Sequence, residues 1–399
     1  MRAAKPPTPH RLKVDTIPNL VNSFSTRSGE TAAIRIRSST GPRTGAQPSR
    51  MVPRSMAAVT DLNPPRRTIR TETHRDCPLC GQPGDVLYRD LTDRLFSAPG
   101  AWNFRRCRNR ACRHVWLDPQ PVEEDIPLIY NEYYTHSGAS DSNGEKNAPA
   151  RSASIIHRVL SLGYRGVLKL SGMTRLRRNM YSLYLTDHRP GRLLEIGCGS
   201  GDRLAHFAAL GWRVQGQDVD PKAVEHARAT TGLPVHLGPI ETLPATADPF
   251  DAVVMNHVVE HASDPMALLR EAGKLLRRDG VLMAVTPNIE SFGHARFGSA
   301  WLHLDPPRHL HLFSVRTLAD VAREAGFQEV HVRTSPANAE MSAVYSLEIA
   351  RAGRCQTEKP PVLSAVVRSR LFQAAALLRH RLDPDSGEES VLVAERFQD

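Results

Sequence analysis

The chain has 399 residues, of which 40% are hydrophobic, so it can bury one large core and a smaller unit. Its formal charge of +10 is concentrated in residues 1–76, which hold 14 Lys/Arg against five acids, and the rest of the chain is nearly neutral. This distribution disfavours a nucleic-acid-binding face on the folded part, and no apolar run reaches the roughly 18 residues that a membrane span needs.

The first segment, residues 1–72, is predicted to be a disordered basic tail, because it is rich in Pro, Ser, Thr and Arg and shows no apolar period. It has no apolar core of the kind found in secretory signals. An Arg- and Ser-rich leader is also compatible with an organelle transit peptide, and Met51 or Met56 would be alternative starts of the protein. We therefore assign no function to this tail.

Residues 73–122 are predicted to fold as a zinc ribbon. Cys77 and Cys80 are separated by two residues, and Cys107 and Cys112 by four, with two predicted short strands between the pairs. Two such thiolate pairs can complete one tetrahedral Zn²⁺ shell without an open position, so the metal is expected to be structural. The alternative is four reduced cysteines without metal. In both states the cysteines stay reduced, which fits a reducing cytoplasm. A disulfide framework would not fit that compartment.

Residues 123–190 are predicted to form a helical linker or a substrate-side segment. Within and just beyond it, residues 151–192 carry nine Lys/Arg and one acid, Asp187. A basic amphipathic helix of this kind can meet a membrane surface or an acidic carrier. The alternative is a solvated linker that lies on the folded domain.

Residues 192–201 read RLLEIGCGSG, a short apolar run followed by three glycines and then by a predicted helix. A strand, a glycine turn and a helix form a nucleotide-type crevice, because the missing Cβ atoms let a ligand approach the backbone. The dinucleotide fingerprint would place its third glycine where Asp202 stands. The variant seen here, E-x-G-x-G-x-G, resembles class I S-adenosylmethionine-dependent methyltransferases. This resemblance implies cofactor contacts from Glu195, Gly197, Cys198, Gly199 and Gly201.

The following segments fit the same resemblance in order. WRVQGQDVDP is a second strand, and in this family the acid that ends it, here Asp218, takes both ribose hydroxyls, with Val219 beside it. PVHLGPIETLP is a third strand that lacks the usual acid for the adenine amine, so Glu241 or backbone groups would take that role. FDAVVMN is a fourth strand ending at Asn256, which is expected to border the cofactor. The next helix is expected to begin at Pro265 and to end just before Gly280.

VLMAVTPN, QEVHVRTS and VLVAERF complete a seven-strand set. The expected fold is therefore α/β: a Rossmann-like seven-stranded methyltransferase sheet over residues 191–399, preceded by the small zinc ribbon and the disordered N-terminal tail. A helical insertion is expected at residues 338–388. Its stretch AVVRSRLFQAAALLRHRL is predicted to be an amphipathic helix that could cover the substrate pocket.

Two histidine-rich stretches are candidates for the chemistry. His257, Glu260 and His261 match the inverted zinc-peptidase motif H-x-x-E-H, but they begin at the end of a strand and not within a helix, which disfavours a peptidase. In a methyltransferase they would lie at the carboxyl end of the sheet, where ligands bind. WLHLDPPRHLHLFS, residues 301–314, follows the fifth strand and is expected to close over the sulfonium as a lid.

His309 is the leading candidate for the general base, with His257 and His261 in reserve, because a neutral imidazole can accept a proton near pH 7. His311 is expected to point away from His309 if the chain there is extended. The alternative is a packing loop in which His309 bonds only to the backbone.

The ribbon fused to this domain resembles a bacterial group of methyltransferases that mostly modify small molecules. The expected reaction is in-line transfer of the methyl group of S-adenosylmethionine to a sugar, quinone, lipid-linked or polyketide-type acceptor in the cytoplasm. An RNA methyltransferase whose ribbon grips RNA is one alternative. A non-catalytic ribbon scaffold is the other. Neither the acceptor atom nor the oligomeric state follows from the sequence.

Overall fold

The computed structural model describes residues 68–130, 164, 166, 171–243, 248–355 and 362–395. Most of the predicted tail (residues 1–72) and residues 131–163 of the predicted linker lie outside this part of the chain. The last two residues of that tail, Thr71–Glu72, correct its boundary, because they form a strand that pairs with Gln120–Pro121. The described residues belong to one compact unit.

The strands of the described part form three sheets, and its helices lie mostly in the second half of the chain. The strands are β1 Thr71–Glu72, β2 Gly84–Leu91, β3 Trp102–Cys107, β4 Val115–Leu117, β5 Gln120–Pro121, β6 Arg192–Ile196, β7 Arg213–Asp218, β8 Val235–Leu237, β9 Phe250–Asn256, β10 Leu276–Pro287, β11 His311–Leu312, β12 Glu329–Ser335 and β13 Glu389–Glu395. The helices are α1 Ile126–Ile129, α2 Met173–Tyr181, α3 Asp202–Ala209, α4 Pro221–Thr231, α5 Pro265–Leu275, α6 Phe292–Phe297, α7 Val315–Glu324, α8 Ala339–Ala352 and α9 Leu363–Leu382.

The central sheet has seven strands in the order β12-β13-β10-β9-β6-β7-β8, and this confirms the predicted set. Strands β6 to β10 run parallel, whereas β13 is antiparallel to both of its neighbours. Neighbouring residues of β6 belong to different hydrophobic clusters. Leu194 packs with Leu269 of α5 and Leu318 of α7. Leu193 packs with Phe207 of α3. The sheet therefore lies between two helical layers, because successive strand residues face opposite sides.

The starts of helices α4 and α5 lie where the sequence predicted them, but the end of α5 does not. Asp220 accepts a hydrogen bond from the backbone of Lys222, and α4 ends at Gly232 in the left-handed region. Helix α5 was expected to run almost to Gly280, which is wrong, because it ends at Leu275 and β10 begins at once. Gly280 instead lies at a register shift of β10, where a Cβ would be 3.1 Å from the carbonyl oxygen of Phe250. The glycine thus serves a bulge.

The insertion predicted at residues 338–388 contains the helices α8 and α9, which pack against each other. Helix α9 covers the stretch that was predicted to be an amphipathic helix. Its buried residues are small or polar, and most of its large aliphatic side chains are exposed. The buried set is Ala365, Ser369, Gln373 and Ala376. No helix in the described part of the chain combines the length and apolarity that crossing a membrane requires.

The second sheet, in the order β11-β4-β3-β2, joins the ribbon to the rest of the fold. Strands β2 and β3 occupy the two stretches predicted between the cysteine pairs. Strand β11 belongs to residues 301–314, and its His311 pairs with Trp116 of β4. The ribbon is therefore completed by a strand that lies about 200 residues later in the chain.

Candidate active site

The predicted glycine loop directly follows β6. Gly197, Gly199 and Gly201 all have positive φ, a conformation that costs little only for glycine. A Cβ at Gly197 would lie 2.6 Å from Cγ2 of Val258, so a close approach of two loops also requires this residue. The buried Cys198 donates its backbone N–H to the carbonyl of Gln217 in β7.

Asp218 lies at the end of β7, where it is tied to the glycine loop. The N–H of Gly199 donates to its Oδ2 at 2.9 Å, and the N–H of Asp220 donates to its Oδ1 at 3.0 Å. Burial raises the pKa of this carboxyl above its usual range. The neighbouring Val219 is 66% exposed at the mouth of this strand end. The loop and the acid thus lie together as the resemblance requires.

Glu195 and Arg203 place opposite charges beside the loop. Glu195 is buried, its Oε1 lies 3.8 Å from Nη1 of Arg203, and its Oε2 has no hydrogen-bond partner within the described residues. Burial raises the pKa of Glu195 to about 7. Asn256 can turn its amide so that the oxygen accepts from both terminal nitrogens of Arg203. Sequence reasoning missed Arg203, since a basic residue early in a helix has no distinctive spacing.

Glu241 does not join this group. It is exposed on the short turn Ile240–Thr242, and in the described structure no hydrogen bond links it to the glycine loop. Gln217 instead connects the loops, because its amide nitrogen donates to the carbonyl of Gly238 at 2.6 Å.

The four ribbon cysteines converge. All four sulfur atoms lie within 4.8 Å of one another, with Sγ of Cys77 3.7 Å from that of Cys112 and Sγ of Cys80 3.4 Å from that of Cys107. This donor set fits a tetrahedral metal bound by four thiolates. The adjacent His114 is not part of the group, since its ring is buried 3.1 Å from Nδ1 of His311.

His257 is held between two buried carboxylates. Its Nδ1 lies 2.9 Å from Glu260, and its Nε2 lies 3.1 Å from Glu389. Burial opposes the charged imidazole, but the hydrogen bonds to both carboxylates outweigh it and raise the pKa of His257 to about 10. At neutral pH this side chain is a cation with both nitrogens engaged. It does not fit the reserve role of general base.

His261 and His309 form a different pair, with ring centroids 4.7 Å apart. Nδ1 of His309 donates to the carbonyl of His303 at 2.8 Å, and Nδ1 of His261 donates to that of Arg308 at 3.0 Å. These bonds leave the lone pair of each ring on Nε2. Burial, assisted by the nearby His309, lowers the pKa of His261 to about 4, so this ring is neutral near pH 7.

A carboxylate completes this pair as a possible metal site. The ligand atoms of Glu260, His261 and His309 lie within 4.8 Å of one another, and Oε2 of Glu260 has no hydrogen-bond partner among the described residues. Two imidazoles and a carboxylate are suitable ligands for a divalent transition metal. His257 of the H-x-x-E-H pattern lies outside this group because it pairs with Glu389 instead.

Residues 301–314 are a buried connection and not the expected lid. The side chain of Arg308 is fully buried, and it bonds to both oxygens of Asp93 at 2.8 Å and to Asp305. His309 and His311 face different neighbours, as expected for an extended chain. The stretch therefore fixes His309 between the ribbon and the sheet.

Comparison with known proteins identifies the central part of the chain. Residues 171–332 match the family model described as a methyltransferase domain. The central part of the chain is therefore similar to methyltransferase domains. The ubiquinone biosynthesis O-methyltransferase of Cereibacter sphaeroides (strain ATCC 17025 / ATH 2.4.3) is 35% identical over 150 residues, which cover 35% of this chain and 61% of that protein. The ubiquinone biosynthesis O-methyltransferase of Methylocella silvestris is 35% identical over 127 residues, which cover 30% and 50%.

A S-adenosylmethionine-dependent methyltransferase from Archaeoglobus fulgidus is a solved structure with 19% identity and a TM-score of 0.37, covering 60% of this chain and 99% of that one. The chain spans about 61% of the length of the first curated relative. The matched region contains the glycine loop, Asp218 and the His257–His261 pattern, whereas the ribbon lies outside it.

Several of the predicted site residues contact one another in the region that matches the family model. The N–H of Gly199 donates to Asp218, Arg203 lies between Glu195 and Asn256, and the ring of His261 meets that of His309. Sequence reasoning missed Tyr130, whose hydroxyl lies 3.0 Å from Nδ1 of His261. Its only signal was an aromatic residue after the ribbon, which a single sequence cannot assign to a site.

Proposed function

We propose that this protein transfers a methyl group from S-adenosylmethionine to a hydroxyl of a small-molecule acceptor. The observation that carries the proposal is the hydrogen bond from the N–H of Gly199 to Asp218, which holds the glycine loop beside this acid. The curated relatives are O-methyltransferases of ubiquinone biosynthesis, which favours a phenolic or quinone-type acceptor over the sugar and polyketide classes. The compartment proposed is the cytoplasm, where four free thiols would stay reduced.

The residues present fit the cofactor. Asp218 offers carboxylate oxygens for the ribose hydroxyls, and the orphaned oxygen of Glu195 with the guanidinium of Arg203 complements a zwitterionic amino-acid end. When bound, the cofactor supplies an electrophilic methyl group. The protein's part is then to orient the acceptor and to remove its proton.

His309 is the proposed general base. Its Nδ1 is fixed by a backbone carbonyl, so Nε2 carries the lone pair that would take the acceptor proton. Neutral His261 lies against it and can take the same role, whereas the cationic His257 would add positive charge near the developing oxyanion.

A divalent cation on Glu260, His261 and His309 is a second candidate for the same step. The orphaned oxygen of Glu260 favours it. A cation there would lower the pKa of a bound acceptor hydroxyl. Loss of turnover under chelation mild enough to leave the ribbon metal bound, with recovery on adding a divalent metal, would replace the general-base assignment. Retained turnover would support the base.

For the ribbon, we propose one structural Zn²⁺ on the four cysteines. An RNA substrate is disfavoured because the chain outside its basic tail is nearly neutral. A non-catalytic scaffold is disfavoured because the region that matches the methyltransferase model contains both the glycine loop and Asp218, and the two are joined by a hydrogen bond.

Turnover tests the proposal. Full-length protein is incubated with methyl-labelled S-adenosylmethionine and a panel of hydroxylated quinone precursors and phenols. His309→Ala should lower turnover by roughly 10²–10⁴-fold, the usual contribution of a placed base, and leave cofactor affinity nearly unchanged. His331→Ala, at an exposed position on β12, is the matched control and should be silent. Full activity in His309→Ala with loss in His261→Ala would move the base to His261.

A further inference from the structure

Helix α9 exposes a long aliphatic face, which we call the apolar stripe. Its members recur at spacings of three and four residues, so they share one side of the helix. The three largest exposures are 66% for Leu371, 60% for Leu378 and 76% for Leu382. The apolar stripe consists of Leu363, Val367, Leu371, Ala374, Leu378 and Leu382.

The stripe is long and continuous. Helix α9 has 20 residues, which corresponds to about 30 Å at 1.5 Å per residue. Its opposite face is closed by small and polar residues against α8, so the leucines are not needed for the packing described here. Exposed aliphatic area of this extent is rare on a surface without a partner.

Arginines follow both edges of the apolar stripe. At 100° per residue, Arg368 and Arg379 lie along one edge, and Arg370 and Arg381 lie along the other. The helix contains no acidic residue. Arg370 and Arg379 pair with Glu340 and Asp383, but within the described residues no ion pair is formed by Arg368 or Arg381.

We propose that α9 docks this protein on a lipid surface that contains anionic headgroups, with the apolar stripe at the acyl boundary and the arginines at the phosphates. An aliphatic face between cationic edges is the arrangement of an interfacial helix. Long arginine side chains can bury their stems and keep their charges at the headgroups. The helix lies in the plane of the interface and does not cross it.

Charge distinguishes this occupant from a second copy of the chain. A two-fold pairing of α9 with itself would bring together arginine-lined edges without a carboxylate on either helix. Juxtaposed like charges oppose such a contact. Anionic headgroups complement the same edges. This inference does not depend on the proposed methyl transfer, because its readout is binding to lipid.

The test is cosedimentation of the full-length protein with vesicles of phosphatidylcholine alone and with 30% phosphatidylglycerol (roughly a physiological anionic fraction). Wild type should bind the anionic vesicles. The affinity of Leu371→Ser/Leu378→Ser for them should be lower by about tenfold or more, because two exposed leucines are removed. Leu210→Ser, at another exposed leucine, is the matched control and should bind like wild type. All variants keep the basic N-terminal segment, so the difference reports on α9.

Arg368→Glu should weaken binding to the anionic vesicles by roughly fivefold or more, whereas Arg278→Glu, at an exposed arginine of β10, should not. Unchanged binding in Leu371→Ser/Leu378→Ser, or no preference of wild type for anionic vesicles, would overturn the proposal. Light scattering tests whether a second copy of the chain occupies the apolar stripe instead. If wild type is a dimer and Leu371→Ser/Leu378→Ser is a monomer, the stripe is an interface between copies and the lipid proposal is overturned.

Discussion

At the scale of single residues, neighbours decide which histidine can accept a proton. The sequence ranks His309 ahead of His257 and His261, but it does not reveal the charge of any of the three imidazole rings. In the structure Glu260 together with Glu389, which is 132 residues away, makes His257 a cation, while backbone carbonyls orient the other two rings. The candidates were therefore predictable and their charge states were not, because those depend on contacts distant in sequence.

His257→Gln should destabilise the protein at pH 7 by about 3–5 kcal/mol, because it leaves two buried carboxylates without their cation. The folded pKa of about 10 lies above the ordinary value of about 6.5. The stabilising contribution is thus complete below about pH 6.5 and is lost as the pH rises through about 10.

Chemical denaturation between pH 6 and pH 10.5 measures this difference. The gap between wild type and His257→Gln should shrink at the alkaline end, and His331→Gln, at an exposed histidine, should track wild type throughout. A gap that stays constant with pH would mean that His257 is not charged in the folded protein.

At the scale of elements, strands with buried apolar runs and helices with clear caps were predictable. Leu193 and Leu194 mark β6, and Asp220 with Pro221 marks the start of α4. The two-residue strand β11 was not predictable, because only its pairing with β4 makes it a strand. Which face of α9 is buried was not predictable, because burial there follows side-chain size, with small residues against α8.

Gly197 and Gly232 have nearly equal φ but different surroundings, so comparing their substitutions distinguishes the cost of backbone strain from the cost of a steric clash. Gly197 has φ 66° and would place a Cβ 2.6 Å from Val258, whereas Gly232 has φ 67° and no neighbour within 4 Å. Gly232→Ala should cost only about 1–2 kcal/mol, the strain of the left-handed conformation. Gly197→Ala should cost clearly more.

Thermal denaturation checks this difference in a double variant. Val258→Ala removes the clashing methyl. Once the cost of Val258→Ala alone is subtracted, the double variant Gly197→Ala/Val258→Ala should therefore lose no more stability than Gly232→Ala does. Equal costs for the two single glycine variants would show that the loops do not approach as described.

At the scale of the whole molecule, the sheet that carries the cysteines and the central sheet belong to one structure. The sequence predicted both parts but placed the boundary between them at a linker. Strand pairing of β11 with β4 and the buried ion pairs of Arg308 with Asp93 and Asp305 join them instead. Damage to the ribbon should therefore reach His309, which lies in the same buried stretch.

Zinc content and stability should change together. Purified protein should hold one zinc per chain, and Cys77→Ser or Cys112→Ser should lose it and unfold at a lower temperature. Cys355→Ser, at a buried cysteine outside the cluster, should retain the metal. A chelator that removes the zinc and leaves the melting curve unchanged would show that the metal is not structural.

The central claim is that the crevice of the glycine loop and Asp218 binds S-adenosylmethionine, and calorimetric titration with S-adenosylhomocysteine tests it most directly. Wild type should bind, and Asp218→Ala should weaken binding by about 1–3 kcal/mol, the cost of ribose hydroxyls left without their acceptor. Asp320→Ala, at a surface acid of α7, should bind like wild type. Absence of binding by folded wild-type protein at millimolar ligand, or unchanged affinity in folded Asp218→Ala, would contradict the account.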